Sequence, residues 1–152
     1  MSVFLANEQA DYRVDEPSLA RLARLVMDAE GVEESEISVL LVDRSVMTDL
    51  NERYMGEDRP TDVLAFPIDE LRPGLLDEEP EEGVLGDLVL CPAVAERQGE
   101  TAGHGTQAEV DLLTVHGILH LLGYDHAEPD EKAEMFGLQD KLLAEWRALD
   151  PT

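Results

Sequence analysis

One run of eleven residues, His116-Gly-Ile-Leu-His120-Leu-Leu-Gly-Tyr-Asp-His126, limits what this chain can fold into more than any other stretch. On an α-helix, positions i and i+4 differ by about 40° in direction and about 6 Å in rise, so His116 and His120 project side by side from one face. Gly123 marks where that helix should stop, because glycine accepts the left-handed conformation of a helix cap. Beyond it the chain can turn back and bring His126 to the same point as the other two rings.

Three imidazoles meeting at one point make a metal site. Three neutral histidines with the fourth tetrahedral position open describe a catalytic zinc rather than a structural one. His116, His120 and His126 are therefore the expected ligands of one Zn2+ per chain. A bound metal would lower the pKa of coordinated water to about 7 and supply a nucleophile at neutral pH. Nickel and copper accept the same ligands, so ligand type alone does not select zinc. Two histidines four apart are weak evidence alone; the third, after a glycine-terminated helix, adds specificity. The spacing is similar to that of the metzincin zinc proteases, which also have a glycine three residues after the second histidine. Those enzymes place Glu after the first histidine as general base, but here Gly117 stands there. Gly117 either leaves room beside the metal for a bulky substrate or lets the helix pack closely on a neighbour. No general base is evident. The fourth histidine, His104, lies between glycines and reads as a solvated loop residue.

The rest of the chain sets the frame. With 152 residues and 43% hydrophobic residues it suffices for one domain, 1–152, and with aromatics at 5% its core must be mostly aliphatic. Lys+Arg number 11 against 35 Asp+Glu, a formal net charge of −24 with no basic run. Such a charge repels polyanions at long range, which argues against DNA as a partner and against tight binding of naked nucleic acid. The single cysteine, Cys91, excludes an internal disulfide framework and a CxxC metal site. No basic segment followed by an apolar one opens the sequence, and no apolar run approaches the ~20 residues of a spanning helix. The expectation is a soluble cytoplasmic protein without membrane contact.

Hydrophobic patterning predicts strands at 3–5, 37–42, 62–66 and 85–90. It predicts helices from Glu16-Pro17-Ser18 to near Gly31, over 45–54, over 107–122 and over 129–149, with another beginning at 93–98. Ser45 is the expected cap of the second helix, and 37–42 reads as a buried strand. Residues 68–83 and 99–105 read as loops. Strands and helices are mixed, giving one α/β or α+β domain.

Together with PTDVLAFP at Pro60–Pro67 and LGDLVL at Leu85–Leu90, the string HGILHLLGYDH resembles the YbeY family, over most of the chain and in the expected order. The resemblance implies a bacterial metal-dependent endoribonuclease acting on single-stranded RNA in ribosomal RNA maturation, 16S 3′-end processing and ribosome quality control. It implies zinc at His116, His120 and His126, and a ribosomal subunit or ribosomal proteins as partners. It also implies a single domain with a small, mainly parallel four-stranded sheet, the metal-binding helix beside it and a zincin-like site.

Two positions depart from the family pattern. The family often has a basic residue after the Tyr of its NxxYR segment, whereas Asn51-Glu-Arg-Tyr54 is followed here by Met55. Its PTxVLSFP string usually has Ser where this chain has Ala65. Arg59 or Arg53 is the candidate to supply the missing charge. Asp125 is a candidate to hold a ligand imidazole by a hydrogen bond, and Arg59 and Asp125 are the candidate catalytic residues. Asp62 and Asp87 could orient groups at the site, and Met135 reads as core. The expected chemistry is metal-assisted phosphodiester hydrolysis. Without a basic groove or stacking platform, affinity would come from the metal, a few arginines and a protein or ribosomal partner. The alternatives are a zincin-like hydrolase of peptides or small molecules, and a non-catalytic ribosome-assembly module with a structural metal.

Overall fold

In the computed structural model, which describes residues 2–69, 83–125 and 127–149, the strands form one sheet. Its members are β1 (Ser2–Asn7), β2 (Ser35–Leu41), β3 (Val63–Pro67) and β4 (Gly83–Leu90), in the order β1-β2-β4-β3. β1 and β4 flank β2 in parallel, and β3 runs antiparallel to β4. The chain therefore has the α+β class and the mainly parallel four-stranded sheet expected of it. The helices are α1 (Glu16–Ala29), α2 (Arg44–Met55), α3 (Pro92–Ala102), α4 (Thr106–Leu121) and α5 (Pro129–Leu149). No helix among the described residues is long and apolar enough to cross a membrane. The predicted loop at 68–83 lies mostly outside the described residues.

Local chemistry sets the helix ends. Asp15 caps α1 by accepting from the Ser18 amide at 3.1 Å, and Pro17 fits the first turn, where its missing N–H costs nothing. The cap of α2 is Asp43, not Ser45: the Asp43 carboxylate accepts from the Val46 amide at 2.9 Å. An anion is favoured at that end by the helix dipole, and Ser45 already lies inside the first turn. The segment 99–105 is also not all loop, because α3 continues to Ala102 before Gly103 closes it at φ +84°. Gly99 permits this: a Cβ there would sit 2.8 Å from the His104 carbonyl oxygen, so the returning loop lies directly on the helix.

One face of the sheet carries the main core. Ile37, Val39 and Leu41 of β2 and Leu85, Leu88 and Leu90 of β4 pack there against α1, α4 and α5. The strand β2 is thus sealed on one face only, with Glu36 exposed and Ser38 and Leu40 half-buried on the other. The register of β2 on β4 jumps from Glu36↔Val84 to Ile37↔Gly86. Leu85 is the extra residue of that bulge, which lets Leu85 and Leu88 both face inward. Part of the second face is covered by α2, where Met47 packs with Leu64, Val89 and Cys91.

Candidate active site

The helix α4 packs across β3 and β4 with most of its girth buried. Glu109, Leu113, His116 and His120 succeed one another at helical spacing on the side left open, and all four line a cleft of about 490 Å3. Val63, Leu64 and Ala65 of β3 also line the cleft, as do Met55, Gln98, Phe136 and Gln139. Gly117 sets how closely α4 approaches the sheet. A Cβ there would stand 2.2 Å from Leu88 Cδ1 and 3.3 Å from Leu88 Cγ. Its small size serves close packing on β4.

Two hydrogen bonds fix the rings. His116 Nδ1 lies 2.9 Å from Gln139 Oε1, and His120 Nδ1 lies 3.2 Å from the Tyr124 carbonyl oxygen. Both partners are oxygens that only accept, so each Nδ1 carries a proton, and the neutral form of each ring has its lone pair on Nε2. That tautomer and its acceptor are what a metal-ligating histidine requires. The donor set of His116 and His120 therefore fits a zinc ion. His126, the third expected ligand, lies outside the described residues. Among the described residues no group of three His, Cys, Asp or Glu could hold a metal ion.

The turn beyond α4 is tied down at both ends. Gly123 adopts φ +99°, as the predicted helix stop requires. The Tyr124 amide donates to the Leu119 carbonyl at 3.1 Å, and the Tyr124 hydroxyl donates to Glu30 Oε1 at 2.7 Å. Glu30 caps the end of α1 and is itself buried. Burial, then the bond to the Glu30 carboxylate, pushes the Tyr124 phenol well above its ordinary value.

The sequence candidates fall in different places. Asp125 is half-buried and does not line the cleft; the acceptors on His116 and His120 are Gln139 and a backbone carbonyl, and the ring of His126, next to Asp125 in the chain, lies outside the described residues. Arg59 has a side chain 73% exposed and pairs with Glu57 at 2.9 Å. Neither Arg59 nor the exposed Arg53 lines the cleft, but Met55 does. A cation that does stand beside it is Lys132, whose Nζ is 5.9 Å from the centre of the Phe136 ring. Asp62 lines the cleft and accepts from the Val63 amide at 2.8 Å. Asp87 lines a separate trough of about 820 Å3 with Phe4, Tyr54 and Phe66. Met135 is fully buried in the core.

His104 departs from the solvated reading. Its Nε2 lies 2.6 Å from Glu109 Oε1, and the side chains of the pair are 30% and 8% exposed. Sequence reasoning missed Glu109 and Gln139. The clue to Gln139 was its place on α5 among Met135, Leu142, Leu143 and Trp146, an amide in an apolar stripe.

Residues 4–147 match the family model described as endoribonuclease YbeY. A relative named endoribonuclease YbeY from a Nocardioides species is 64% identical over 97% of this chain and 99% of its own length. The relative of the same name from Thermobifida fusca is 60% identical, covering 97% of this chain and 95% of its own. Among solved structures, the solution structure of protein TM1509 from Thermotoga maritima aligns over 97% of this chain and 93% of its own, with a TM-score of 0.63 and 26% identity.

Proposed function

The chain belongs to the endoribonuclease YbeY family, and from that premise we propose a zinc-dependent, single-strand-specific endoribonuclease acting in the cytoplasm on ribosomal RNA. Its role is maturation of the 16S 3′ end and ribosome quality control, with a ribosomal subunit or ribosomal proteins presenting the RNA. His116, His120 and His126 would hold one Zn2+ per chain in a zincin-like arrangement. When bound, the ion supplies Lewis-acid charge at the phosphodiester and lowers the pKa of water.

The observation that carries this reading is the pair of rings on α4. His116 and His120 line one cleft, each with Nδ1 committed to a fixed acceptor and Nε2 as the basic nitrogen. Gln139 and the Tyr124 carbonyl hold the rings in orientation, and Glu30 anchors the turn through the Tyr124 hydroxyl. Leu64, Leu113 and Phe136 give the cleft apolar walls.

Electrostatics shape the substrate choice. Among the described residues lining the cleft there is no Arg or Lys, while Asp62 and Glu109 bring negative charge. With −24 overall, the protein gains little from phosphates alone. Duplex DNA is not a partner, and RNA binding depends on the metal and a presenting partner.

The test compares a single-stranded RNA and casein as substrates, with and without chelator, and with His120→Ala. Cleavage of the RNA alone, abolished by chelator and by the substitution, is expected. Casein cleavage, or RNA cleavage unaffected by His120→Ala, would contradict the proposal.

A further inference from the structure

Glu109 has no part in the chemistry described above. It sits two helical turns before His116 on the same face of α4, about 10 Å away at 1.5 Å rise per residue. It lines the cleft, yet only 6% of the residue is exposed. Its Oε1 is held by His104 Nε2 at 2.6 Å. Gln98 of α3 lines the cleft as well, and Leu112 and Leu113 add apolar surface.

This end of the cleft is poorly suited to a phosphate. A carboxylate accepts only, and it repels phosphate oxygens. The RNA group that reaches it must carry an N–H or O–H donor and must enter deeply enough to meet a carboxylate 8% exposed. A base does both, having flat apolar faces and donors on its edge. Single-stranded RNA is read in this way, by unstacked bases hydrogen-bonded on their Watson–Crick edges. Cytosine offers an amino donor where uracil has a carbonyl oxygen. Adenine offers an amino donor too, and guanine offers an N–H and an amino donor side by side on its Watson–Crick edge. The uracil N–H is flanked by two oxygens that face a carboxylate unfavourably.

We propose that the Glu109 end of the cleft is a base-recognition subsite, in which the Glu109 carboxylate, oriented by His104 in a cleft that Gln98 also lines, accepts from the amino group of an unpaired cytosine, adenine or guanine next to the cleaved phosphodiester. The proposal rests on the endoribonuclease reading and names the specificity of the same cleft. The pairing discriminates against uracil at one nucleotide position. One charge-assisted hydrogen bond gives about tenfold discrimination or more.

Two measurements test it. In the first, single-stranded RNA oligonucleotides carrying C or U at each position around the cleaved bond are digested by the wild type and by Glu109→Gln. A C-over-U ratio of about tenfold at one position is expected, falling towards unity in Glu109→Gln, whose amide can donate as well as accept. In the second, cytidine and uridine are titrated into the wild-type protein with the His104 ring resonances as reporter, which needs neither cleavage nor a folded variant. Cytidine is expected to bind about tenfold more tightly. Cleavage without any C/U preference, or a preference kept in Glu109→Gln, overturns the subsite and leaves the nuclease reading standing. Failure to cleave any RNA while cytidine is still selected overturns the nuclease reading and upholds the subsite. A purely structural His104–Glu109 pair would lower the melting temperature of Glu109→Gln and leave both ratios at unity.

Discussion

Replacing Gln139 by Leu should separate what holds the fold from what holds the site. Gln139 is 4% exposed on α5 and its Oε1 is the acceptor 2.9 Å from His116 Nδ1. Leu keeps similar volume and deletes the acceptor. The lost bond is worth about 0.5–1.5 kcal/mol net in a neutral buried pair, and the apolar side chain recovers part of that by burial. Folding stability should therefore change by no more than about 1 kcal/mol. The effect on the site is larger, because the ring loses its fixed orientation and its preference for the tautomer with a basic Nε2. Loss of such an acceptor costs about 10- to 100-fold in metal affinity, or about 1.4–2.7 kcal/mol. Competition with a chromophoric chelator gives the zinc Kd, and thermal unfolding of the metal-free protein gives the stability. Unchanged zinc affinity in Gln139→Leu would refute the role assigned to this bond.

Other substitutions and conditions probe other links. In Gly117→Ala, helix propensity gains about 1 kcal/mol, but a Cβ 2.2 Å from Leu88 Cδ1 forces a fully buried side chain to move, at about 1–3 kcal/mol. The net expectation is a loss of about 1 kcal/mol in urea unfolding, and a smaller loss when Gly117→Ala is added to a Leu88→Ala background than when it is added to the wild type; a stabilised single variant would contradict the close packing. Tyr124→Phe deprives buried Glu30 of its phenol donor, so a loss of about 1–3 kcal/mol is expected. Because the folded-state pKa of Tyr124 lies above the ordinary 10.0 of a tyrosine, the phenol's stabilisation is complete below pH 10 and declines at higher pH. Urea unfolding from pH 8 to 11 should show a steeper alkaline decline in the wild type than in Tyr124→Phe, and identical curves would exclude the linkage. Free single-stranded RNA should bind weakly at physiological salt, and a low-nanomolar Kd by fluorescence anisotropy would show that cations outside the cleft dominate.

The parts of the molecule legible in sequence are those set by local periodicity. The α4 pattern, its stop at Gly123 and the apolar strands 37–42 and 85–90 depend on neighbours in the chain, and each was found within a few residues of its predicted place. What escaped depends on contacts between distant segments. That Gly99 continues a helix follows from the loop carbonyl lying against it, and that His104 is bonded rather than solvated follows from the way α3 meets α4. The acceptor for His116 comes from α5, 23 residues along the chain, where sequence offers only an amide in an apolar stripe. Arg59 adjoins Pro60 in sequence, but its exposed side chain pairs with Glu57 and is not among the residues that line the cleft.

On the proposed reading, His116, His120 and His126 would hold one ion with a coordination position left open. X-ray absorption at the zinc edge of metal-loaded protein measures this directly. One zinc per chain is expected, with three imidazole nitrogens at about 2.0–2.1 Å and one exchangeable oxygen donor, and with binding lost in His120→Ala. A sulfur ligand, a fourth protein ligand closing the site, or undiminished zinc binding in His120→Ala would contradict it.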